Sequence, residues 1–446
     1  MGPASAASQG VPSGLLAGLL ACPVPAALFI FSLLMPTDFS VYAGNLRLSP
    51  YRIVLILLIL PAWLRIVSGK AGKMIAPDYL LIAFSVWMWI VFAYHHGLGV
   101  ATESGGVLAL ELLGAYGVAR AYVQTRKRFV GALSFLCLMM LVIAPLTVFE
   151  SVTGNHVLRQ IGAAAAGKSF SSAIDMRMGL HRAYGPFDHP ILYGVFAAAL
   201  FGMAWYQIQH RILRLDGFFA SVLAVVMGAV SSMSAGAIAA LMVQFMLSLW
   251  ERFTRTVNRR WLILTALIVA MYIAVDLASN RSGLMVFVTY LTFSPVTAYG
   301  RVMIFEWGME NVWANPIMGL GFNEWKRPSY KSASVDNFWL LQAMMFGIPG
   351  FLLLASATAS SLAKGWSRLS EPDLLRTGWT VSMFGLVVAG CTVHFWSSSF
   401  VYFAFLLGMG VFFRANPMPT SRLGGGGADA AASKRIATRT AARFFQ

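Results

Sequence analysis

The chain of 446 residues is 58% hydrophobic and 11% charged, with a mean hydropathy of +0.70 and a formal net charge of +16. Soluble domains carry roughly 25% charged residues, so this composition excludes a protein whose whole surface faces water. The positive charge does not indicate nucleic-acid binding, because nucleic-acid partners are not expected for so apolar a chain.

Apolar runs of about 20 residues, the length that crosses the hydrocarbon core of a bilayer, recur along nearly the whole chain. We therefore predict an all-α fold: a polytopic bundle of about twelve transmembrane helices that forms one membrane-embedded domain over residues 1–413. The predicted spans are 14–34, 51–67, 76–94, 106–123, 129–149, 190–208, 216–232, 234–250, 259–276, 337–361, 376–393 and 396–413.

The distribution of lysine and arginine predicts the orientation of these spans. With the N-terminus inside, the predicted cytoplasmic segments hold 21 of the 33 basic residues, and the short external loops hold only Arg47 and Arg52. Cytoplasmic loops of membrane proteins carry such an excess. We expect a multi-pass protein of the bacterial inner membrane with both termini in the cytoplasm, and the net charge then follows from the topology.

Two long loops, at about 150–189 and 277–336, follow the fifth and ninth spans and face the periplasm in this topology. Both are rich in aromatic residues, histidine and arginine, a composition that favours ordered loops with short helices. Long ordered loops are commonly functional. The last segment, 414–446, combines a run of four glycines with alanine, serine and basic residues, so we predict a disordered basic cytoplasmic tail.

The first long loop ends in a dense polar cluster, His181-Arg182-Ala183-Tyr184-Gly185-Pro186-Phe187-Asp188-His189-Pro190. In one interpretation an arginine holds an anionic head group while histidine and aspartate position it, since guanidinium suits phosphate oxygens. In the other, Arg182 and Asp188 pair with each other and Gly185-Pro186 makes a turn. The residue types alone leave both interpretations open.

The second long loop predicts a short external helix that begins near Arg301 and ends before Pro316. The glycines that follow permit a tight turn back toward the membrane. The loop closes at Asp336, where the tenth span begins. Asp336 is either the N-cap of that helix, a position that favours aspartate, or an ionised carboxylate that can accept a proton.

Three segments together resemble the O-antigen polymerase and ligase superfamily, the integral-membrane glycosyltransferases of bacterial surface polysaccharides. They read Arg182-x-x-Gly185-x-Phe187-x-His189-Pro190, then Gly300-Arg301 with Asn315-Pro316-x-x-Gly319-x-Gly321, then Asp336-Asn337-x-x-Leu340 with Gly347-x-x-Gly350. Their order and spacing over about residues 110–360 match better than any one motif. Phe305 departs from a frequent tryptophan, and Asp336 stands where ligases usually have histidine, which favours a polymerase.

The resemblance implies that a glycan is transferred from undecaprenyl diphosphate to an acceptor hydroxyl on the periplasmic face. The expected partners are an undecaprenyl-diphosphate-linked oligosaccharide, the growing glycan acceptor and membrane lipids, with a chain-length regulator and an export complex as further candidates. The alternative within the superfamily is an O-antigen ligase that transfers the glycan to lipid A-core. The product of the preferred reaction is a surface or exo-polysaccharide.

The implied chemistry assigns roles to arginines in the two long loops. Arg182 and Arg301 are the predicted holders of the diphosphate and Arg281 is the third candidate, because planar guanidinium binds phosphate oxygens bidentately. A diphosphate is a good leaving group, so stabilisation of its charge matters more than protonation. The sequence contains no paired-aspartate motif of the kind that binds divalent ions, and we predict a reaction without metal or cofactor.

The acceptor hydroxyl needs a base, and Asp336 is the predicted one, with His181 or His189 as the alternative. The predicted substrate-binding residues are His181, His189, Arg281, Trp307, Tyr330 and Asn337. Two other classes stay open. Twelve spans also fit a transporter or flippase for lipid-linked sugars, although the loops are not placed symmetrically, as repeat-built carriers require. The second open class is a non-catalytic subunit of an export complex.

Overall fold

The computed structural model describes residues 14–44, 46–170, 176–209, 217–278, 295–363 and 373–415. These residues are mostly helical, which confirms the predicted all-α class. Within the described residues, six helical segments are long and apolar enough to cross a membrane: Pro50–Val67, Ala76–Tyr122, Arg126–Thr153, Pro190–Gln207, Arg260–Ala278 and Phe338–Leu362. These helices support a membrane protein, and the number of twelve spans stays a prediction.

The N-terminal part of the chain forms eight helices and a small hairpin. The helices are α1 Leu15–Leu19, α2 Val24–Leu33, α3 Pro50–Val67, α4 Ala76–Val100, α5 Gly106–Ala109, α6 Ala115–Tyr122, α7 Arg126–Thr153 and α8 Val157–Ala165. Two π-helical turns, Ala101–Gly105 and Leu110–Gly114, join α4, α5 and α6. Strand β1, Val41–Ala43, pairs antiparallel with β2, Leu46–Leu48.

A second hairpin and ten more helices follow. Strand β3, Met176–Arg177, pairs antiparallel with β4, Leu180–His181. The helices are α9 Pro190–Ala199, α10 Phe201–Gln209, α11 Gly217–Ser231, α12 Ala235–Phe253, α13 Arg260–Ala278, α14 Pro295–Ala314, α15 Phe338–Leu362, α16 Leu374–Gly390, α17 Ser398–Gly410 and α18 Phe412–Ala415. Helix α14 already includes Pro295, the first described residue of this range, so it extends further toward the N-terminus than the predicted start near Arg301. Residues 416–446 of the predicted tail lie outside the described residues.

Helices α9 and α10 form the centre of the bundle and pack against α11, α12, α16 and α17. The chain turns at Leu200 between them, and a buried break of this kind needs partners for its backbone groups. Gln244 on α12 supplies them, because its side chain accepts from Gly202 N at 3.0 Å and donates to Ala198 O at 2.8 Å. Helix α13 is not packed in this way, because no residue of its most apolar stretch is buried inside the bundle.

Polar contacts join connecting segments at both ends of helix α7. At its first residue, Arg126 pairs with Asp373. At its last turn, Glu150 contacts Tyr184. We call the second end the loop end, because contacts join its connecting segments there: residues 35–49, 150–189, 231–234, 300–337 and 391–397. The predicted site residues that the structure describes lie in these segments.

Candidate functional site

The carboxylate of Glu150, in the last turn of α7, is buried and fully engaged. Its Oε1 accepts from the backbone N–H of Tyr184 at 2.7 Å, and its Oε2 accepts from that of Gly185 at 3.2 Å. His156 Nδ1 also contacts Oε1. Glu150 therefore fixes the turn that precedes Pro186, a structural role that no sequence motif indicates.

The carboxylate of Asp188 also has several partners. They differ from Arg182, the partner named in the second interpretation of the polar cluster. Thr37 Oγ1 donates to Asp188 Oδ1 at 2.6 Å, and the guanidinium groups of Arg47 and Arg159 lie 3.7 and 3.8 Å from that oxygen. The described ion pairs of Asp188 are with Arg47 and Arg159, and the Arg182–Asp188 pair of the second interpretation is not among them. Asp188 ties the first long loop to residues 35–49.

Arg159 completes this part of the loop end. It pairs with Asp38 and donates through Nη1 to Phe187 O at 2.6 Å. We call Glu150, Arg159 and Asp188 the buttress cluster, because each of them binds a partner that holds a loop in place. Buried ionic groups are tolerated when they are paired in this manner.

Arg182 is only 3% exposed and reaches the turn between α11 and α12. Its Nε donates to Ser232 O at 3.3 Å, and the next residue, Ala183, donates its backbone N–H to Ser231 O at 3.0 Å. Arg177 on β3 donates to the adjacent carbonyl, Met233 O, at 3.3 Å. Two guanidinium groups thus converge on one turn, and Arg177 is an arginine outside the three motifs that was not predicted as a site residue.

Arg301 on α14 lies within electrostatic range of Arg177. Its Nε is buried and has no hydrogen-bond partner among the described residues. Burial lowers the pKa of the Arg301 guanidinium from its ordinary value, the carboxylate of Asp336 raises it, and the positive charge of Arg177 lowers it. Arg301 is therefore a partly buried cation within electrostatic range of a second arginine and of a carboxylate.

Asp336 precedes helix α15 and does not cap it. The cap is Asn337, whose Oδ1 accepts from Leu340 N at 3.0 Å. The N-cap interpretation of Asp336 is therefore wrong. The hydroxyl of Ser334 donates to Asp336 Oδ1 at 3.0 Å, and the carboxylate is partly exposed. The amide oxygen of Asn337, a predicted substrate-binding group, is occupied by the cap.

His394 lies close enough to Asp336 for their charges to interact, although it was not predicted as a site residue. It belongs to the connection 391–397 between α16 and α17. Burial lowers the pKa of His394 from its ordinary value to about 4, and the Asp336 carboxylate opposes this shift. The predicted topology places the 391–397 connection on the same side of the membrane as the two long loops. That placement is the sequence signal that could have identified His394. We call Arg301, Asp336 and His394 the open cluster.

The two histidines predicted as alternative bases have structural contacts. His189 caps α9, because its Nδ1 accepts from Ile191 N at 3.2 Å. His181 lies on β4, its carbonyl accepts from Ser151 at 2.8 Å, and its ring packs over Gly154. The ring of Trp396 lies 5.8 Å from that of His189, so the start of α9 adjoins the 391–397 connection.

The other predicted substrate-binding residues are dispersed. Trp307 packs into a small apolar cluster with Val312, Trp325 and Leu340. Tyr330 is 76% exposed and is available at the surface. Arg281 lies outside the described residues. The predicted substrate roles of all three remain predictions.

The motif glycines form one backbone joint between the second long loop and α15. Helix α15 breaks at Gly347, whose φ is 68° and ψ is −179°. Three backbone hydrogen bonds bridge the break, from Leu320 N to Met344 O, Gly321 N to Met345 O, and Ile348 N to Pro316 O, at 2.8, 2.9 and 2.8 Å. A Cβ on Gly347 would lie 1.9 Å from Ile317 O. These glycines therefore fix the loop that carries Arg301 against the helix that follows Asp336.

Within the described ranges, no group of three or more histidine, cysteine, aspartate or glutamate side chains could hold a metal ion. No protein-family model matches the chain, and no curated protein matches it in sequence. The resemblance to the O-antigen polymerase and ligase superfamily therefore rests on the three motifs alone.

Proposed function

We propose that this chain polymerises lipid-linked oligosaccharide repeat units into a bacterial surface or exo-polysaccharide. The glycan would leave undecaprenyl diphosphate on the periplasmic face of the inner membrane and join an acceptor hydroxyl. The observation that carries the proposal is the position of Arg301. This partly buried arginine, whose buried Nε has no hydrogen-bond partner among the described residues, lies in range of both Arg177 and Asp336 at one end of an apolar bundle.

The arginines suit the leaving group of this reaction. Two neighbouring cations such as Arg177 and Arg301 repel each other, and a bound anion relieves that repulsion. A diphosphate offers several oxygens to their donors, and Arg182 lies at the same turn as Arg177. The loss of one donor that stabilises developing negative charge costs roughly 3–4 kcal/mol in other enzymes. The proposal assigns the diphosphate to Arg182 and Arg301, with Arg177 beside them.

Asp336 takes the proton. The acceptor oxygen bonds to the anomeric carbon, and the bond from that carbon to the diphosphate oxygen breaks with its electron pair on the diphosphate. The hydroxyl proton passes to the Asp336 carboxylate. A positioned base of this kind typically contributes 10²–10⁴-fold in rate. Ser334 donates to Oδ1 of this partly exposed carboxylate, which leaves lone pairs available for the acceptor hydroxyl.

The proposed topology has about twelve spans, with the loop end in the periplasm and the Arg126 end in the cytoplasm. Among the described residues, four shorter apolar helices also lie at predicted spans: Val24–Leu33, Gly217–Ser231, Leu374–Gly390 and Ser398–Arg414. Together with the six long helices, of which Ala76–Tyr122 covers two predicted spans, they account for eleven of the twelve. The lipid carrier would reach the site from the membrane. A chain-length regulator and an export complex are the proposed protein partners.

The test uses purified full-length protein in lipid nanodiscs and lipid-linked oligosaccharide extracted from cells that lack the chain. We expect longer lipid-linked glycans and release of undecaprenyl diphosphate, measured by mass spectrometry, and no elongation by Arg301→Ala. Transfer to added lipid A-core without elongation would replace the polymerase with a ligase. Movement of unextended lipid across the bilayer would overturn the proposal in favour of a flippase.

A further inference from the structure

We propose that His96 on α4 is a positioning residue of this site, which holds the loop after the Arg301 helix only while its imidazole is unprotonated. The effect on elongation rests on the proposed function, and the inference names a residue that none of the three motifs contains. His96 acts through the loop 315–323 and not on the glycan. Acid therefore weakens the hold on the loop and slows elongation.

The contact is a hydrogen bond from the loop backbone to the imidazole. Phe322 donates its backbone N–H to His96 Nε2 at 2.8 Å. The Phe322 ring also stacks on that of Phe92, one turn earlier on α4, with the ring centroids 4.4 Å apart. An imidazole nitrogen accepts a hydrogen bond only when it carries no proton. His96 therefore makes this bond as a neutral ring with its proton on Nδ1, and a second proton removes the acceptor.

The last glycine of the second motif allows the loop backbone to approach the imidazole. Gly321 has a φ of 58°, a conformation that glycine adopts without strain. A Cβ at this position would lie 2.7 Å from His96 Nε2 and 3.3 Å from His95 Cβ. The backbone N–H of Gly321 donates to Met345 O across the break in α15. Residues 321 and 322 thus tie the loop to both α4 and α15.

The same loop is joined to the helix that carries Arg301. Asn311, near the end of α14, donates to Lys326 O at 2.9 Å and accepts from Lys326 N at 2.9 Å. These two bonds close the chain between residues 311 and 326 at its base, while His96 holds it at Phe322. Because Arg301 lies on the helix at this base, release of the loop removes a support of Arg301.

Protonation of His96 is the event that breaks the contact as pH falls, because histidine ordinarily changes its charge between pH 5 and pH 8. His96 lies beyond the predicted span 76–94 and is partly exposed, so protons reach it from water. The His95 ring lies 6.0 Å from that of His96 and 4.9 Å from that of Tyr94. Two protonated imidazoles at this separation would also repel each other.

The other segments around the contact bring few charges. Helix α15 packs along α4, where Trp87 Nε1 donates to Phe346 O at 2.8 Å, and it carries no titratable residue. The charged residues nearest in sequence on the π-helical turns and the loop are Glu103, Glu111, Glu324 and Lys326. Glu103 and Glu324 are exposed, and Glu111 pairs with Arg52. The hydrogen bond to His96 is therefore the acid-sensitive part of the contact.

The first test measures amide hydrogen exchange at Phe322 in the purified full-length protein without substrate, at pH 8 and pH 5. Protection factors remove the ordinary pH dependence of exchange. In wild type, protection of the Phe322 amide should fall roughly 2- to 10-fold at pH 5, as the loss of one hydrogen bond predicts. His96→Gln keeps an acceptor of similar reach that does not titrate, so its protection should stay constant. His96→Phe should protect this amide weakly at both pH values.

The second test follows elongation of the extracted lipid-linked oligosaccharide between pH 5.5 and pH 8. At pH 8, His96→Phe should elongate roughly 2- to 10-fold more slowly than wild type, and His96→Gln should elongate like wild type. At pH 5.5, His96→Gln should be faster than wild type, because its loop is still held. His95→Gln is the matched control. The contact of His95 is with the Asn323 side chain, at 3.5 Å, so this variant should keep the acid sensitivity of wild type.

Equal protection of the Phe322 amide in wild type at pH 8 and pH 5 would overturn the proposal, and this measurement requires no variant to fold. Identical pH profiles of elongation for wild type and His96→Gln would overturn the positioning role and leave the proposed function intact. A wild type that elongates nothing overturns the proposed function and the positioning role with it, while exchange at Phe322 still decides whether His96 holds the loop.

Discussion

The buttress cluster and the open cluster contain similar residue types and differ in how completely their charges are paired. Both carboxylate oxygens of Glu150 accept backbone hydrogen bonds, and Arg159 binds a carboxylate and a carbonyl. In the open cluster, the Nε of Arg301 has no hydrogen-bond partner among the described residues. A partly buried charge without full compensation is unfavourable for folding. Such a group marks a candidate functional site, and the proposed function assigns Arg301 to the anionic diphosphate.

The clusters also show that proximity in sequence does not predict which charges pair. Arg182 and Asp188 lie in one motif, yet Asp188 binds residues of the 35–49 segment while Arg182 reaches the carbonyl of Ser232. The motif thus holds one residue of the buttress cluster and one that contacts the turn between α11 and α12. Mutations matched across the two clusters can separate these roles.

The largest effect is expected from the same chemical change made in both clusters. Asp336→Asn should lower elongation by roughly 10²-fold or more with unchanged membrane abundance, because an amide cannot hold the proton at neutral pH. Glu150→Gln should instead lower the free energy of unfolding by about 1.5–3 kcal/mol, because it weakens hydrogen bonds to a charged group. Elongation per folded molecule and thermal unfolding in detergent measure the two effects.

The control for Asp336→Asn is Asp336→Ser, which keeps a small polar side chain. A further variant, Asp336→His, tests whether an imidazole can act as the base at this position. Near-normal elongation by Asp336→Asn in the purified assay would remove Asp336 as the base. His181 and His189 would then be tested in its place.

A smaller effect is expected from the arginines. Arg301→Lys keeps the charge and loses the planar fork, so elongation should fall roughly 10- to 10²-fold while the protein still accumulates in the membrane. Arg159→Lys makes the same change in the buttress cluster and should lower the amount of folded protein. Polymer length on gels measures the effect of Arg301→Lys, and immunoblotting measures the loss of protein in Arg159→Lys. Normal polymer from both Arg182→Ala and Arg301→Ala would end the diphosphate assignment.

The sequence predicts the fold class because composition alone requires a lipid-facing surface and helices satisfy their own backbone groups. It also places Arg182, Arg301 and Asp336 in segments that the structure brings to one end. It cannot choose between Asp336 and Asn337 as the cap of α15, because both residue types suit that position. Only the contact with Leu340 N decides it.

Other features depend on contacts that no local pattern contains. In the sequence, Gly347 lies inside what reads as an uninterrupted apolar span. The backbone groups that hydrogen-bond across the break lie some 26 to 31 positions earlier, at residues 316–321. His394 is a lone histidine in a short connection, 58 positions after Asp336 in sequence. A lone histidine of this kind becomes informative only when folding places it beside a carboxylate.

The smallest effect concerns the pH dependence of stability. The pKa of His394 is about 4 in the folded protein and ordinarily about 6.5. As pH falls below about 6.5, the unfolded chain binds a proton that the folded site does not accept until pH nears 4, so stability decreases across that window. The expected loss between pH 7 and pH 5 is about 2 kcal/mol of unfolding free energy.

His394→Gln removes this titration, so its thermal unfolding in detergent should depend less steeply on pH than that of wild type, while Cys391→Ser should match wild type. Other carboxylates titrate equally in all three proteins, and the difference between the curves isolates His394. Bound lipid-linked oligosaccharide brings negative charge to the site, which raises the pKa of His394 and should narrow that difference. Equal slopes for wild type and His394→Gln would mean that His394 is not held as a buried neutral imidazole, and the open cluster would then consist of Arg301 and Asp336 alone.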